Sequence, residues 1–169
     1  MKALRSFLGS LGGDHQMLGQ LQDGVTIAQF KNIPGDLLDG IYALGYGHFQ
    51  SGQLQKAHNI FLYLSFHDHT NPKYLTAFGA CCTKMGMLEQ AEQILTLTNE
   101  MTPNDASVAI NLAYTQELMG KVEPALETLS QISTELETKE IDKAQRQSIN
   151  AMSQRLKKMA ETQHANNGE

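Results

Sequence analysis

The chain has 169 residues, 41% of them hydrophobic and 18% charged, which is enough apolar side chain for the core of about one domain. Its net charge of −5 and its scattered lysines and arginines argue against a nucleic-acid partner, whose polyphosphate backbone demands a basic face. No apolar run approaches the roughly 18 residues that span a bilayer, so direct membrane binding is not expected.

The first segment, residues 1–35, opens with Lys2 and Arg5, but Ser6, Gly9 and Ser10 break its apolar stretch before a secretion signal can form. Cytoplasmic residence is the expectation. Leu18, Leu21, Val25, Ile27 and Phe30 then suggest one or two short helices around Gln22-Asp23-Gly24. Surplus apolar residues here (Leu8, Leu11, Met17, Leu18) are suited to covering the next element or to self-association. Pro34-Gly35-Asp36 starts a helix, with Asp36 as the expected N-cap.

From residue 38 the chain matches itself at a fixed offset. Gly45, Gly79 and Ala113 are 34 apart, as are Gly52, Gly86 and Gly120, and Ala57, Ala91 and Ala125. Three sets of small residues on one period predict three helical hairpins, residues 38–71, 72–105 and 106–138. The glycine at 52, 86 or 120 ends the first helix of each in the left-handed conformation. The small residues let the two helices approach closely, and large ones fill the flanks: Ile41, Leu44 and Phe61, then Leu75, Phe78 and Leu95, then Leu112 and Leu129. Residues 139–163 read as a C-terminal capping helix through Ile141, Ala144, Ser148, Met152, Leu156 and Met159, and 164–169 as a frayed polar tail. Arg155, Lys157 and Lys158 read as a solvated face. The pattern resembles the tetratricopeptide family, giving an all-α fold of three tandem hairpins with flanking helices. Stacked hairpins of this kind curve, and the first helix of each lines the concave side.

Residues on that side that packing does not use are Asp39, Tyr42, Tyr46 and Phe49, then Lys73, Thr76, Ala80 and Thr83, then Ser107, Ile110, Tyr114 and Glu117. Tyr42, Tyr46 and Phe49 step along one helical face, and an open aromatic stripe is costly unless something covers it. The cover is either a bound apolar peptide or the N-terminal segment folded back. Small side chains at Thr76 and Ala80 leave room for an extended chain.

A closer resemblance comes from Leu38-Asp39-Gly40-Ile41-Tyr42-Ala43-Leu44-Gly45-Tyr46, Phe49-Gln50-Ser51-Gly52 and Ala57-His58, continued by Asp68-His69 and Phe78-Gly79-Ala80-Cys81. These stretches are similar to the class II chaperones of bacterial type III secretion, which hold pore-forming translocator proteins. The resemblance implies a bacterial cytoplasmic chaperone whose groove takes an extended apolar client segment, and a homodimer through the N-terminal segment. It places Tyr42, Tyr46, Phe49, Thr76, Ala80, Ile110 and Tyr114 at the peptide, and Asn71 and Thr83 are further candidates for the same site. The alternative is a scaffold or adaptor joining folded partners. A carboxylate clamp is the less favoured form of it, since only Lys73 and Asn111 offer suitable groups.

Other constellations are weak. His67-Asp68-His69 lacks a third ligand and reads as a polar helix end, so no metal is expected. Cys81 and Cys82 are neighbours in sequence and read as reduced, buried fillers. No phosphate loop, nucleophile elbow or H-E-x-x-H motif occurs, so neither an enzyme nor a cofactor is expected.

Overall fold

The computed structural model describes residues 25–135 and 142–166. Among these residues there are eight helices and no strand: α1 (Ile27–Phe30), α2 (Gly35–Gln50), α3 (Leu54–His67), α4 (Pro72–Lys84), α5 (Leu88–Met101), α6 (Ala106–Leu118), α7 (Val122–Glu135) and α8 (Lys143–Asn166). They fall into two compact units that divide between Tyr74 and Leu75, inside α4.

One bend recurs three times. Gly52, Gly86 and Gly120 have φ of +74°, +78° and +74°. Each follows a helix whose last carbonyls are satisfied in the same way. The Gly52 and Gln53 N–H groups donate to Phe49 and His48, those of Gly86 and Met87 to Thr83 and Cys82, and those of Gly120 and Lys121 to Glu117 and Gln116. Only glycine takes this backbone without a Cβ penalty, so the 34-residue glycine spacing is the spacing of the bends.

In the first unit α2 and α3 form a hairpin and α1 lies on α3. A short capping box starts α1: Thr26 Oγ1 accepts from the Gln29 N–H at 3.2 Å, and Gln29 Oε1 accepts from the Thr26 N–H at 2.9 Å. Asp36 is not the N-cap of α2. The helix begins at Gly35 after Pro34, with no side-chain cap, and Asp36 sits in the first turn, where its charge still favours the helix dipole. Gly45 meets Ile60 and Phe61, and the core is Leu38, Ala57, Phe61 and Leu64 with Ile27, Ala28 and Tyr74. Leu44 is not a core residue: it is 57% exposed, whereas Phe78 and Leu112, its counterparts in the next repeats, are buried. Leu37 on the same helix is also exposed, so nothing among the described residues closes this side of α2.

In the second unit α5, α6, α7 and α8 pack in sequence, and α8 also touches α6. Ala109, Ala113, Val122, Ala125, Leu129 and Ile132 form a core with Ile149, Met152 and Leu156 of α8. Met152 and Leu156 are buried as expected, and the stripe of α8 departs from expectation only nearer its start. Ile149 is buried where Ser148 was expected, and Ala144 is exposed; a branched apolar side chain outcompetes a hydroxyl for the interior. Ile141 lies outside the described residues. Arg155 is exposed like Lys157 and Lys158, as expected, but it is also paired: its Nε and Nη2 donate to the two Glu117 carboxylate oxygens at 2.6 and 2.5 Å, tying α8 to α6. Cys81 and Cys82 are fully buried free thiols.

Candidate peptide-binding site

The aromatic residues of α2 lie in one row within the first unit. The Tyr42 and Tyr46 rings stack with centroids 6.2 Å apart, and Tyr46 and Phe49 follow at 6.4 Å. Together these steps cover about four residues of extended chain at ~3.3 Å each. Steps of four and three residues bring the rings to one face because the helix turns every 3.6 residues. Phe61 of α3 supports the row from beneath, 5.8 Å from Tyr42 and 6.4 Å from Phe49. Tyr46 is 47% exposed, while Tyr42 and Phe49 are half-buried. The row therefore has a wet rim and a packed base, as expected of a surface that accepts an apolar ligand and keeps hydroxyls for its backbone.

Tyr74 of α4 completes the row at its other end, 5.8 Å from Tyr42. Its side chain is buried, so it fixes the Tyr42 ring rather than facing solvent. Burial raises the phenol pKa of both Tyr42 and Tyr74 above the ordinary value. Tyr74 was not among the residues expected here. Its one signal is that it lies 34 residues after Gly40, so the second repeat supplies a ring where the first has no side chain.

At the Tyr74 end the row carries a charge. The Lys73 ammonium lies 4.2 Å from the Tyr42 ring centroid and donates to Asp39 Oδ1 at 3.0 Å. Asn71, expected at the peptide, accepts the Lys73 backbone N–H on its Oδ1 at 3.1 Å and so supports the start of α4.

The remaining expected residues belong to the second unit. Thr76 and Ala80 on α4 and Ile110 on α6 are half-buried, and Tyr114 on α6 is 42% exposed. Thr83 is not a surface residue. It is 6% exposed, donates to the Gly79 carbonyl at 3.0 Å and shares a 2.8 Å hydrogen bond with the Thr115 hydroxyl. A buried hydroxyl needs such partners, and here they hold α4 to α6 inside the unit. Glu117 likewise offers no free carboxylate, since Arg155 occupies both oxygens.

His67 is buried, with Nδ1 2.9 Å from the Tyr63 carbonyl and its ring 4.0 Å from that of Tyr63. Asp68 accepts from the Thr70 hydroxyl at 2.8 Å. Among the described residues no group of three or more His, Cys, Asp or Glu is placed to hold a metal ion, and no helix is long and apolar enough to cross a membrane.

Helical hairpins bent at left-handed glycines define a repeat protein of the tetratricopeptide type, and its first hairpin carries an open aromatic row. The family model described as coatomer epsilon subunit matches residues 47–161. SicA, a chaperone protein of Salmonella typhimurium, is 28% identical over 105 residues, which are 62% of this chain and 64% of SicA. The chain therefore spans a little under two thirds of that relative's length. Among solved structures, PcrH, a protein of Pseudomonas aeruginosa, in complex with the chaperone binding region of PopB superposes with a TM-score of 0.66 at 26% identity, over 71% of this chain and 97% of that one. The type III secretion chaperone SycD of Yersinia enterocolitica, with a peptide of the translocator YopD, shares the fold at a TM-score of 0.68 and 23% identity, over 76% of this chain and 98% of that one. The chain belongs to the family that the coatomer epsilon subunit model describes, and it is similar in sequence to the chaperone SicA and in sequence and fold to PcrH. The coatomer match starts at residue 47, so it leaves out Tyr42 and Tyr46 of the aromatic row.

Proposed function

We propose that this protein is a bacterial cytoplasmic chaperone that holds an extended apolar segment of a secreted translocator protein, keeping it soluble until export. The observation that carries this reading is the row Tyr42, Tyr46 and Phe49, supported by Phe61 and open to solvent at Tyr46. Exposed aromatic area is released from water when an apolar chain lies on it, while the hydroxyls remain available to the peptide backbone. Relatives named as chaperones, one of them solved with the binding region of its client, support the same use of the fold. Thr76, Ala80, Ile110 and Tyr114 of the second unit are proposed as further binding residues, and self-association through residues 1–35 belongs to the same reading. No catalytic role is proposed.

The test is co-expression with a candidate translocator protein, followed by affinity capture. Tyr46→Ala with Phe49→Ala should leave helicity unchanged and abolish co-purification. Capture at the wild-type level would defeat the assignment and favour an adaptor that binds folded partners elsewhere.

A further inference from the structure

The aromatic row ends at a cation whose hydrogen-bonding capacity is only partly used. Lys73 has three N–H donors. One goes to Asp39 and another side of the ammonium lies on the Tyr42 ring, which leaves the third for an incoming acceptor. Lys73 and Asp39 are both at least half exposed, and an ion pair of that kind contributes little by itself, so sharing or exchanging the Asp39 carboxylate costs little. The ring beneath fixes where the charge sits: Tyr42 is held by Phe61 and the buried Tyr74 and cannot swing away with a flexible lysine.

We propose that Lys73 sets the polar end of the peptide site by pairing with a carboxylate of the client, supplied by an Asp or Glu side chain that flanks the apolar segment. The proposal rests on the peptide-binding reading above and adds the charge the client must carry. Lys73 favours a side-chain carboxylate over a chain terminus, because a terminal carboxylate is held by several converging donors, whereas here one point charge stands at the end of an open row. Tyr42 is covered on the Lys73 side, so the apolar side chains of the client sit on Tyr46 and Phe49, and the acidic one follows at the Tyr42 end.

The experiment uses the full-length protein and short synthetic peptides with blocked termini. Each has a Leu, Val and Pro core flanked by Glu on one side or the other, or by Gln on both, and one further peptide carries a free C-terminal carboxylate instead. Binding is followed by fluorescence anisotropy. The Glu peptide of one orientation should bind several-fold more tightly than the Gln peptide, and the advantage should shrink with added salt. It should vanish in Lys73→Met and grow in Asp39→Asn, which removes the competing carboxylate. Equal binding of Glu and Gln peptides, with both lost in Tyr46→Ala, would overturn the role of Lys73 and leave the aromatic site standing. Preference for the free C-terminus over either Glu peptide would also overturn it. Failure of every peptide to bind wild-type protein would remove the peptide-binding reading and this proposal together.

Discussion

A Cβ placed on Gly79 would stand 2.6 Å from Cγ of Leu95. The two helices of this hairpin meet at a distance that only a hydrogen at position 79 allows, and Leu95 is itself fully buried, with no room to withdraw. The third hairpin carries Ala113 at the corresponding place, also fully buried. The first hairpin repeats the close approach, since a Cβ on Gly45 would stand 2.7 Å from Ile60, whereas the third has room for a methyl group.

Gly79→Ala should destabilise the protein. Overpacking costs about 1–3 kcal/mol, and the better helix propensity of alanine returns about 1 kcal/mol, so a net loss of up to about 2 kcal/mol is expected. Urea unfolding followed by circular dichroism reads it as a lower midpoint at unchanged slope.

Gly86→Ala and Gly47→Ala should act in opposite directions. Gly86 sits at φ +78° and ends α4, and any Cβ there costs about 1–2 kcal/mol. Gly47 is exposed within α2 with nothing near its missing Cβ, so alanine there should add roughly 0.5–1 kcal/mol. Thermal melts of the two variants should fall on either side of the wild type.

Arg155→Met should loosen α8. Its guanidinium makes both bonds to a Glu117 carboxylate that is largely shielded from water, and losing them should cost about 1 kcal/mol. Arg155→Lys should restore only part of this, because an ammonium cannot reproduce the two-pronged contact. Hydrogen exchange along α8 checks both variants.

Alkaline pH should weaken the fold through Cys82. Burial, aided by the adjacent Cys81, pushes its thiol pKa from 9.0 up to about 11. Below pH 9 the thiol is neutral whether the chain is folded or not, and the contribution is complete. Between about pH 9 and 11 only the unfolded chain releases the proton, so stability falls as pH rises through that window. Cys82→Ala should flatten this slope in chemical denaturation measured at several pH values, and neither native thiol should react with a disulfide reagent at pH 8.

The hairpin scaffold was legible because it rests on backbone demands that few residues meet. Glycine at 52, 86 and 120 is required by the sign of φ, and glycine at 79 by the approach of Leu95. The aromatic row was legible for a related reason: Tyr42, Tyr46 and Phe49 share a face that the hairpin core does not consume. What the pattern left out are burial decisions made by neighbours distant in sequence. Thr83 turns inward because Thr115 is there to meet it, and Glu117 is taken by Arg155, 38 residues on. Leu44 sits at a packing position of the repeat yet stands exposed, since a periodic rule does not state which repeat lacks a neighbour. Tyr74 escaped notice because its counterparts, Gly40 and Val108, are not aromatic.

Asp39 and Lys73 stand 34 residues apart, one full repeat, so their ion pair doubles as a ruler of chain length. Inserting a residue between Lys73 and Tyr74, inside the first turn of α4, would turn Lys73 by about 100° about the helix axis relative to Tyr74 and carry the ammonium away from the Tyr42 ring. Because Tyr74 is buried in the core of the first unit, a change of length here disturbs packing and the charge at the end of the aromatic row together.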